Sequence, residues 1–297
     1  MKILFTGATG FIGKVFTRVL LDNGHEVFAW VRNMDKARIL LDSRVQAFIR
    51  FDDLQEDYFD AVINLAGAPI ADKRWTDSRK LLLRKSRIEL TNSLVDYINS
   101  LEQKPRVVLS GSAIGYYGCQ PAESSLDESA DAVAGFQHSL CVDWEAAALS
   151  LASDSTRVCL LRTGIVLGLG GGVLGKMLLP FKLGLGGPIG DGQQIMSWIH
   201  IQDWMNACLF LLTNESLSGP YNLVSPNPVK NEKFSKALAQ AVHRPAVFRV
   251  PCFVLKLAMG DAYELLCKGQ RVLPERLSGA GFQFEFNDID FAFADII

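Results

Sequence analysis

The stretch FTGATGFIG, residues 5–13, decides how this 297-residue chain is read. Its glycines, Gly7, Gly10 and Gly13, fall at every third position. The run Lys2-Ile3-Leu4-Phe5 before it has strand character. After it, Ile12, Val15, Phe16, Val19 and Leu20 recur at helical spacing until Asn23-Gly24 supplies a stop. A turn between strand and helix aims backbone N–H groups at a phosphate, and the helix dipole adds positive potential there. Glycine lets the backbone approach closely and turn sharply. A bare glycine triplet is a weak signal; the strand before it and the helix after it make it a dinucleotide-binding fingerprint. A second apolar run, 27–31, completes a βαβ unit.

Further strands are expected at 61–65, 106–109, 157–161 and 220–224, with helical patterns between them at 80–99 and 143–152. Strands alternating with helices predict an α/β fold, a Rossmann-type doubly wound parallel sheet covered on both faces. Ligands on such sheets bind at the carboxyl ends of the strands. The regularity breaks at 168–192, GLGGGVLGKMLLPFKLGLGGPIGDG, which holds ten of the chain's 25 glycines. A short apolar helix between two loose glycine-rich arms is expected there. From about 225 the chain reads as helices, 232–243 and 251–268, and then a strand-like tail. The division expected is a nucleotide-binding domain of residues 1–167 and 195–225, with a smaller, mostly helical substrate-side lobe of 168–194 and 226–297.

Composition narrows the class. Hydrophobic residues make up 49% and charged residues 21%, which suits a globular chain, and the net charge of −2 argues against a nucleic-acid binder. The six cysteines form no CxxC pair, so no metal site and no disulfide scaffold is expected. No signal-peptide pattern opens the sequence, and no apolar run reaches the roughly 18 residues of a bilayer span. These features predict a reduced, cytoplasmic protein, a monomer or homodimer, with a small-molecule substrate and no membrane partner.

The end of the second strand selects the nucleotide. An acid there binds the ribose 2′-hydroxyl of NAD, whereas an arginine accommodates a 2′-phosphate. The sequence reads Trp30-Val31-Arg32-Asn33, and the nearest acid is Asp35. A guanidinium forms charge-assisted, bidentate bonds with phosphate. The expected cofactor is NADP(H), held by the loop residues Gly7, Thr9, Gly10, Phe11, Ile12 and Gly13 and by Arg32.

TGATGFIG resembles the fingerprint of extended short-chain dehydrogenase/reductases, the group that includes nucleotide-sugar epimerases and dehydratases. Asn64-Leu65-Ala66-Gly67 resembles their cofactor-lining motif after the fourth strand. Ser110-Gly111-Ser112-Ala113 with Tyr116-Tyr117-Gly118 resembles their catalytic-serine segment, and Trp198-Ile199-His200-Ile201-Gln202-Asp203 a segment near their substrate cleft. SRIELT (86–91), DWEAAA (143–148), LRTGIVLG (161–168), GLGGPIGDGQQ (184–194) and GQRVLPERL (269–277) narrow the resemblance to the YfcH-type "epimerase family" subgroup, which carries a C-terminal domain of unknown function. The resemblance implies that Leu65, Ala66, Gly67 and Arg87 also contact the cofactor.

One part of that resemblance fails. The superfamily pairs a tyrosine with a lysine four residues on, the lysine lowering the tyrosine pKa. Four residues beyond the six tyrosines, 58, 97, 116, 117, 221 and 263, stand Val62, Leu101, Gln120, Pro121, Ser225 and Cys267. Alignment on Glu145 puts Gln137 and Cys141 in the two places, and Cys141 reads as a small buried helix residue. Ser112, Tyr116 and Tyr117 are the candidate catalytic residues: Ser112 to bind a substrate oxygen or to be satisfied in its turn, the tyrosines to give a proton or to pack. His200 reads as a hydrogen-bonded loop residue and Asp203 as the cap or start of a helix 203–213. Lys176 and Lys182 either meet an anionic substrate or are solvated. Two functions stay open: an NADP(H)-dependent oxidoreductase or epimerase acting on a small polar or nucleotide-linked molecule, and a non-catalytic NADP(H) sensor.

Overall fold

A computed structural model describes residues 1–54 and 56–297. Seven parallel strands make the central sheet: β1 (Lys2–Thr6), β2 (Glu26–Trp30), β3 (Gln46–Phe48), β4 (Ala61–Asn64), β5 (Val107–Ala113), β6 (Arg157–Thr163) and β7 (Gly219–Leu223), in the order β7-β6-β5-β4-β1-β2-β3. The expected strands are present, and β5 and β6 run further than their apolar cores indicated. The order reverses between β1 and β4, the switch point at which open α/β sheets bind ligands.

The strands are apolar on both sides because helices cover both faces. On one face Phe5, Phe16 and Trp204 stack edge to face around α1 (Phe11–Asp22) and α7 (Ile201–Thr213). On the other, Leu4, Val62 and Val108 pack with Leu94 and Ile98 of α4 (Ile88–Ser100) and Ala148 of α5 (Phe136–Leu149). A separate core joins Leu174 and Phe181 of α6 (Gly172–Lys182) to Phe234 and Leu238 of α8 (Asn231–Ala241) and to Phe293.

Several boundaries differ from the sequence reading. The helix expected at 80–99 is two, Asp77–Lys85 (α3) and α4, divided at Ser86-Arg87, where the Arg87 side chain turns inward. The helix expected at 203–213 starts at Ile201 and is capped by His200, whose Nδ1 accepts from the Gln202 N–H at 3.2 Å. Asp203 serves elsewhere, accepting the Glu285 and Phe286 N–H groups at 2.9 Å each. The segment 251–268 is broken into α9 (Cys252–Met259), a single turn and the short helix Glu264–Cys267, with Gly260 at φ +59° in the break. The strand-like tail is a helix, Ile289–Ile296, because its alternating Ile, Phe and Ala pack at helical spacing on α8, with Asp288 capping it. Cys252 and Cys267 are joined by a disulfide, a correction to the expectation of six reduced cysteines. Among the described residues no helix is long and apolar enough to cross a membrane.

Candidate nucleotide-binding site

The glycine loop sits where β1 gives way to α1. Gly7 has φ +83°, and a Cβ on it would stand 2.6 Å from the Leu65 carbonyl carbon. Gly13 faces inward: its Cβ would meet the Gly7 oxygen at 2.2 Å. These two glycines let the first turn of α1 close on the end of β4. Gly10 differs. It is the exposed N-cap, at φ −76° and ψ 176°, and its added Cβ would meet only the Gly7 oxygen, at 3.1 Å. No side chain caps α1, and among the described residues the N–H groups of Phe11, Ile12 and Gly13 have no hydrogen-bond partner. Three unpaired donors at a helix start suit a pyrophosphate.

The neighbouring strand ends are held in register by buried polar groups. The Thr6 hydroxyl donates to Asn64 Oδ1 at 2.7 Å and accepts from the Ala66 N–H at 3.2 Å. Asn64 Nδ2 donates to Thr91 and Ser110. Leu65, Ala66 and Gly67 are thereby fixed beside Gly7. Arg32 follows β2, exposed, with no carboxylate in ion-pair distance among the described residues. Asp35 pairs with Arg38 and Asn33 caps the helix Met34–Leu40. Thr9 is half-buried; Phe11 lies under Gly171 and Gly172, whose Cβ atoms would fall 2.6 and 3.1 Å from its ring. Ile12 packs on the sheet core. The structure thus gathers the loop residues, Leu65, Ala66 and Gly67 at the switch point.

Arg87 is 9% exposed and donates to the carbonyls of Ala68 at 3.0 Å and Leu83 at 3.2 Å. No carboxylate pairs with it among the described residues, and burial pulls its pKa down to about 10. Its guanidinium lies 5.1 Å from the centre of the Trp144 ring, whose indole N–H is buried without a partner. A buried cation beside Gly67, against an indole whose N–H has no partner among the described residues, fits a polar, anionic ligand better than an apolar one.

The candidate catalytic residues divide. Ser112 is 5% exposed, and its hydroxyl donates to Glu145 Oε1 at 2.6 Å. Glu145 also receives Arg162 Nε at 2.9 Å and Nη2 at 3.0 Å. Burial alone would lower the Arg162 pKa; the hydrogen bonds and charge of Glu145 outweigh it and hold it above the usual value. Tyr117 is a correction. It is fully buried, donates to Asn222 Oδ1 at 2.7 Å and accepts from Arg162 at 3.2 Å, and burial pushes its pKa up to about 12. It does not face a cleft. Tyr116 is half-buried, with the Arg162 guanidinium 3.4 Å from its ring centre. Cys141 is buried, its thiol pushed up to about 11 by desolvation and donating to the Ala113 carbonyl, which suits a packed helix residue.

Sequence reasoning missed Arg162, Asn222 and Glu128. Asn222 N–H donates to Glu128 at 2.8 Å, which ties β7 to the same network. One signal was available: an arginine inside the apolar run Cys159-Leu160-Leu161-Arg162 must find a buried anion. His200 lies outside the network, buried against Phe286 at 3.8 Å. Lys176 pairs with Asp72 at 2.7 Å; Lys182 lines a concavity of about 620 Å³ with Val242, Arg244 and Phe293, which shares no residue with the glycine loop.

The model of the NAD dependent epimerase/dehydratase family matches residues 3–224, and that of a domain of unknown function, DUF1731, matches 250–296. Epimerase family protein ML0860 of Mycobacterium leprae is 39% identical over 97% of this chain and 92% of its own. Epimerase family protein YfhF of Bacillus subtilis is 34% identical over 100% and 98%. The crystal structure of human epimerase family protein SDR39U1, with NADPH, superposes with a TM-score of 0.91 at 34% identity, covering 100% of this chain and 99% of that one.

Proposed function

This chain belongs to the NAD dependent epimerase/dehydratase family, and from that premise we propose that it binds NADP(H) and acts as an oxidoreductase or epimerase-like enzyme on a small molecule. The observation that carries the reading is Arg32, exposed and without a carboxylate at the end of β2, beside three unpaired N–H groups at the start of α1. The NADPH of human SDR39U1, an overall match at 34% identity, supports it. The glycine loop would hold the pyrophosphate, Arg32 the 2′-phosphate, and Leu65, Ala66, Gly67 and Arg87 the further length of the dinucleotide. The domain division read from the sequence is part of this proposal.

When bound, the nicotinamide supplies or accepts a hydride. The chain's own residues orient and protonate. In this reading Arg87 brings a positive charge to the site where the family's lysine is missing. Tyr116 is the proton-carrying candidate: of the two tyrosines beside the Arg162 guanidinium, it alone is partly accessible. Ser112, with its proton committed to Glu145, offers its oxygen as an acceptor to a substrate hydroxyl. The sensor reading is favoured by one observation: Ser112 and Tyr117 both belong to a buried network around Arg162, so the usual proton route is occupied by structure.

The test adds carbonyl compounds to NADPH-loaded protein and follows the absorbance at about 340 nm, a property of the reduced cofactor. Turnover that falls in Tyr116→Phe supports the enzyme. Tight NADPH binding with neither a loss of absorbance nor an isomerised product across the panel supports the sensor, since an epimerase regenerates its cofactor and leaves the absorbance unchanged.

A further inference from the structure

The disulfide between Cys252 and Cys267 closes a loop made of α9, the turn at Gly260 and the short helix Glu264–Cys267. This loop sits on the segment 68–76, which continues from Leu65-Ala66-Gly67. The Trp75 N–H donates to the Met259 carbonyl at 3.1 Å, and Arg74 donates to the Leu257 carbonyl at 3.2 Å. Gly260 bridges Trp75, and Lys80 of α3 pairs with Asp261 at 2.6 Å. Beneath these contacts Ala68, Trp75, Leu83, Leu140 and Ala262 form one buried apolar cluster, with Met259 and Leu265 packed against it. The disulfide-closed loop is the cover of that cluster.

The same cluster positions Arg87. Its guanidinium donates to the carbonyls of Ala68 and Leu83, and both residues belong to the cluster. The cover has little packing of its own. Among the described residues Ala262 alone of 252–267 is buried, and such short helices are marginal without packing. A cross-link acts on a segment of this kind by removing the loop entropy it would otherwise regain. Cys252 and Cys267 are half-buried, within reach of a reductant. The other cysteines are unsuited to exchange. Cys141, Cys159 and Cys208 are buried, and desolvation raises each thiol pKa. Cys119 faces Glu264 of the short helix at 3.9 Å; burial, and then the charge of that carboxylate, raises its pKa as well, so it supplies little thiolate to attack the disulfide.

We propose that Cys252–Cys267 is a reversible redox site whose state sets the affinity for the dinucleotide through Ala68, Leu83 and Arg87, a role that rests on the cofactor reading above. The co-reactant is a dithiol. Its thiolate attacks one sulfur of the bond, and the other protein sulfur leaves as a thiolate and takes a proton. The second thiol of the reductant then displaces the first protein sulfur, which is protonated in turn. Two electrons and two protons pass to the protein, giving two cysteine thiols and a disulfide in the reductant. Oxidised, the cover is fixed and Arg87 is held beside Gly67, whose Cβ would stand 3.0 Å from the guanidinium carbon. Reduced, α9 and the short helix come away from 68–76, and the Ala68 and Leu83 carbonyls lose their fixed positions.

The test compares oxidised protein with protein reduced by dithiothreitol and then freed of it under argon, in the parent and in Cys252→Ser. Alkylation with mass spectrometry reports the bond, circular dichroism the fold, fluorescence titration the NADPH affinity and hydrogen exchange the segment 68–76. Reduction should weaken NADPH by roughly tenfold, the scale of one lost charge-assisted hydrogen bond, and should speed exchange in 68–76. Cys252→Ser should match the reduced parent in both readouts and ignore the reductant. Equal affinity in the two states overturns the proposal. So does a reductant effect that persists in Cys252→Ser, or thiols at 252 and 267 that stay free after treatment with diamide. Unfolding on reduction also overturns it, since the bond is then a staple of the fold and not a switch. NADPH binding by neither state contradicts the cofactor reading, whereas equal binding by both contradicts only the redox site.

Discussion

Glu145 on α5 and Arg162 on β6 form a bidentate ion pair, their side chains 6% and 5% exposed, and Ser112 donates to the same carboxylate. Breaking such a pair strands a buried charge. Glu145→Gln or Arg162→Met should each cost about 3–5 kcal/mol in denaturant unfolding. The double variant should recover part of the loss. Additive losses in the double variant would mean that the pair acts through other contacts.

The two adjacent tyrosines should behave differently. Tyr117→Phe removes a buried hydroxyl that both donates to Asn222 and accepts from Arg162, so about 1–3 kcal/mol of stability should go. Tyr116→Phe should leave the melting temperature nearly unchanged and act on turnover alone. Thermal melts of both variants, compared with their kinetics, check this; equal melting losses would place Tyr116 in the buried network.

The glycines of the loop separate in the same way. Gly13→Ala drives a Cβ to 2.2 Å from the Gly7 oxygen and should destabilise the fold, by about 1–3 kcal/mol as overpacking does. Gly10→Val keeps an ordinary φ of −76° and should leave the fold intact while blocking the phosphate approach. Calorimetric titration with NADPH beside circular dichroism reads both. Undiminished affinity in Gly10→Val would move the phosphate away from this loop.

The candidate site was legible where its groups are neighbours in the chain and hidden where they are not. The glycine loop, Arg32 and the sheet are written in contiguous runs, so periodicity and turn chemistry locate them. The Ser112–Glu145–Arg162–Tyr117–Asn222 network spans 110 positions, from three strands, a helix and a short turn, and only the sheet order brings it together. The tail misread as a strand shows the same limit: FAFADII has strand-like composition, and packing on α8 makes it helical. The Cys252–Cys267 link follows from the break at Gly260, which folds the chain back on itself.

His200 gives the protein a pH dependence of known sign. Burial lowers its pKa below 6.5, with Asp295, Asp203 and Glu285 opposing. The unfolded state therefore binds the proton more readily, so stability rises with pH through the window below about 6.5 and is lost as pH falls through it. His25, also lowered by burial, adds to the same slope. Urea unfolding at pH 5.5 and 7.5 should show a smaller difference in His200→Asn than in the parent. An unchanged difference would assign the slope to other groups.

The central claim is that Arg32 reads a 2′-phosphate. Fluorescence titration with NADPH and NADH, on the parent and on Arg32→Asp, tests it most directly. Charge-assisted hydrogen bonds are worth roughly 1.5–3 kcal/mol, so the parent should prefer NADPH by about ten- to a hundredfold, and Arg32→Asp should abolish or reverse the preference. Equal affinities in the parent, or a preference that survives Arg32→Asp, would contradict the account.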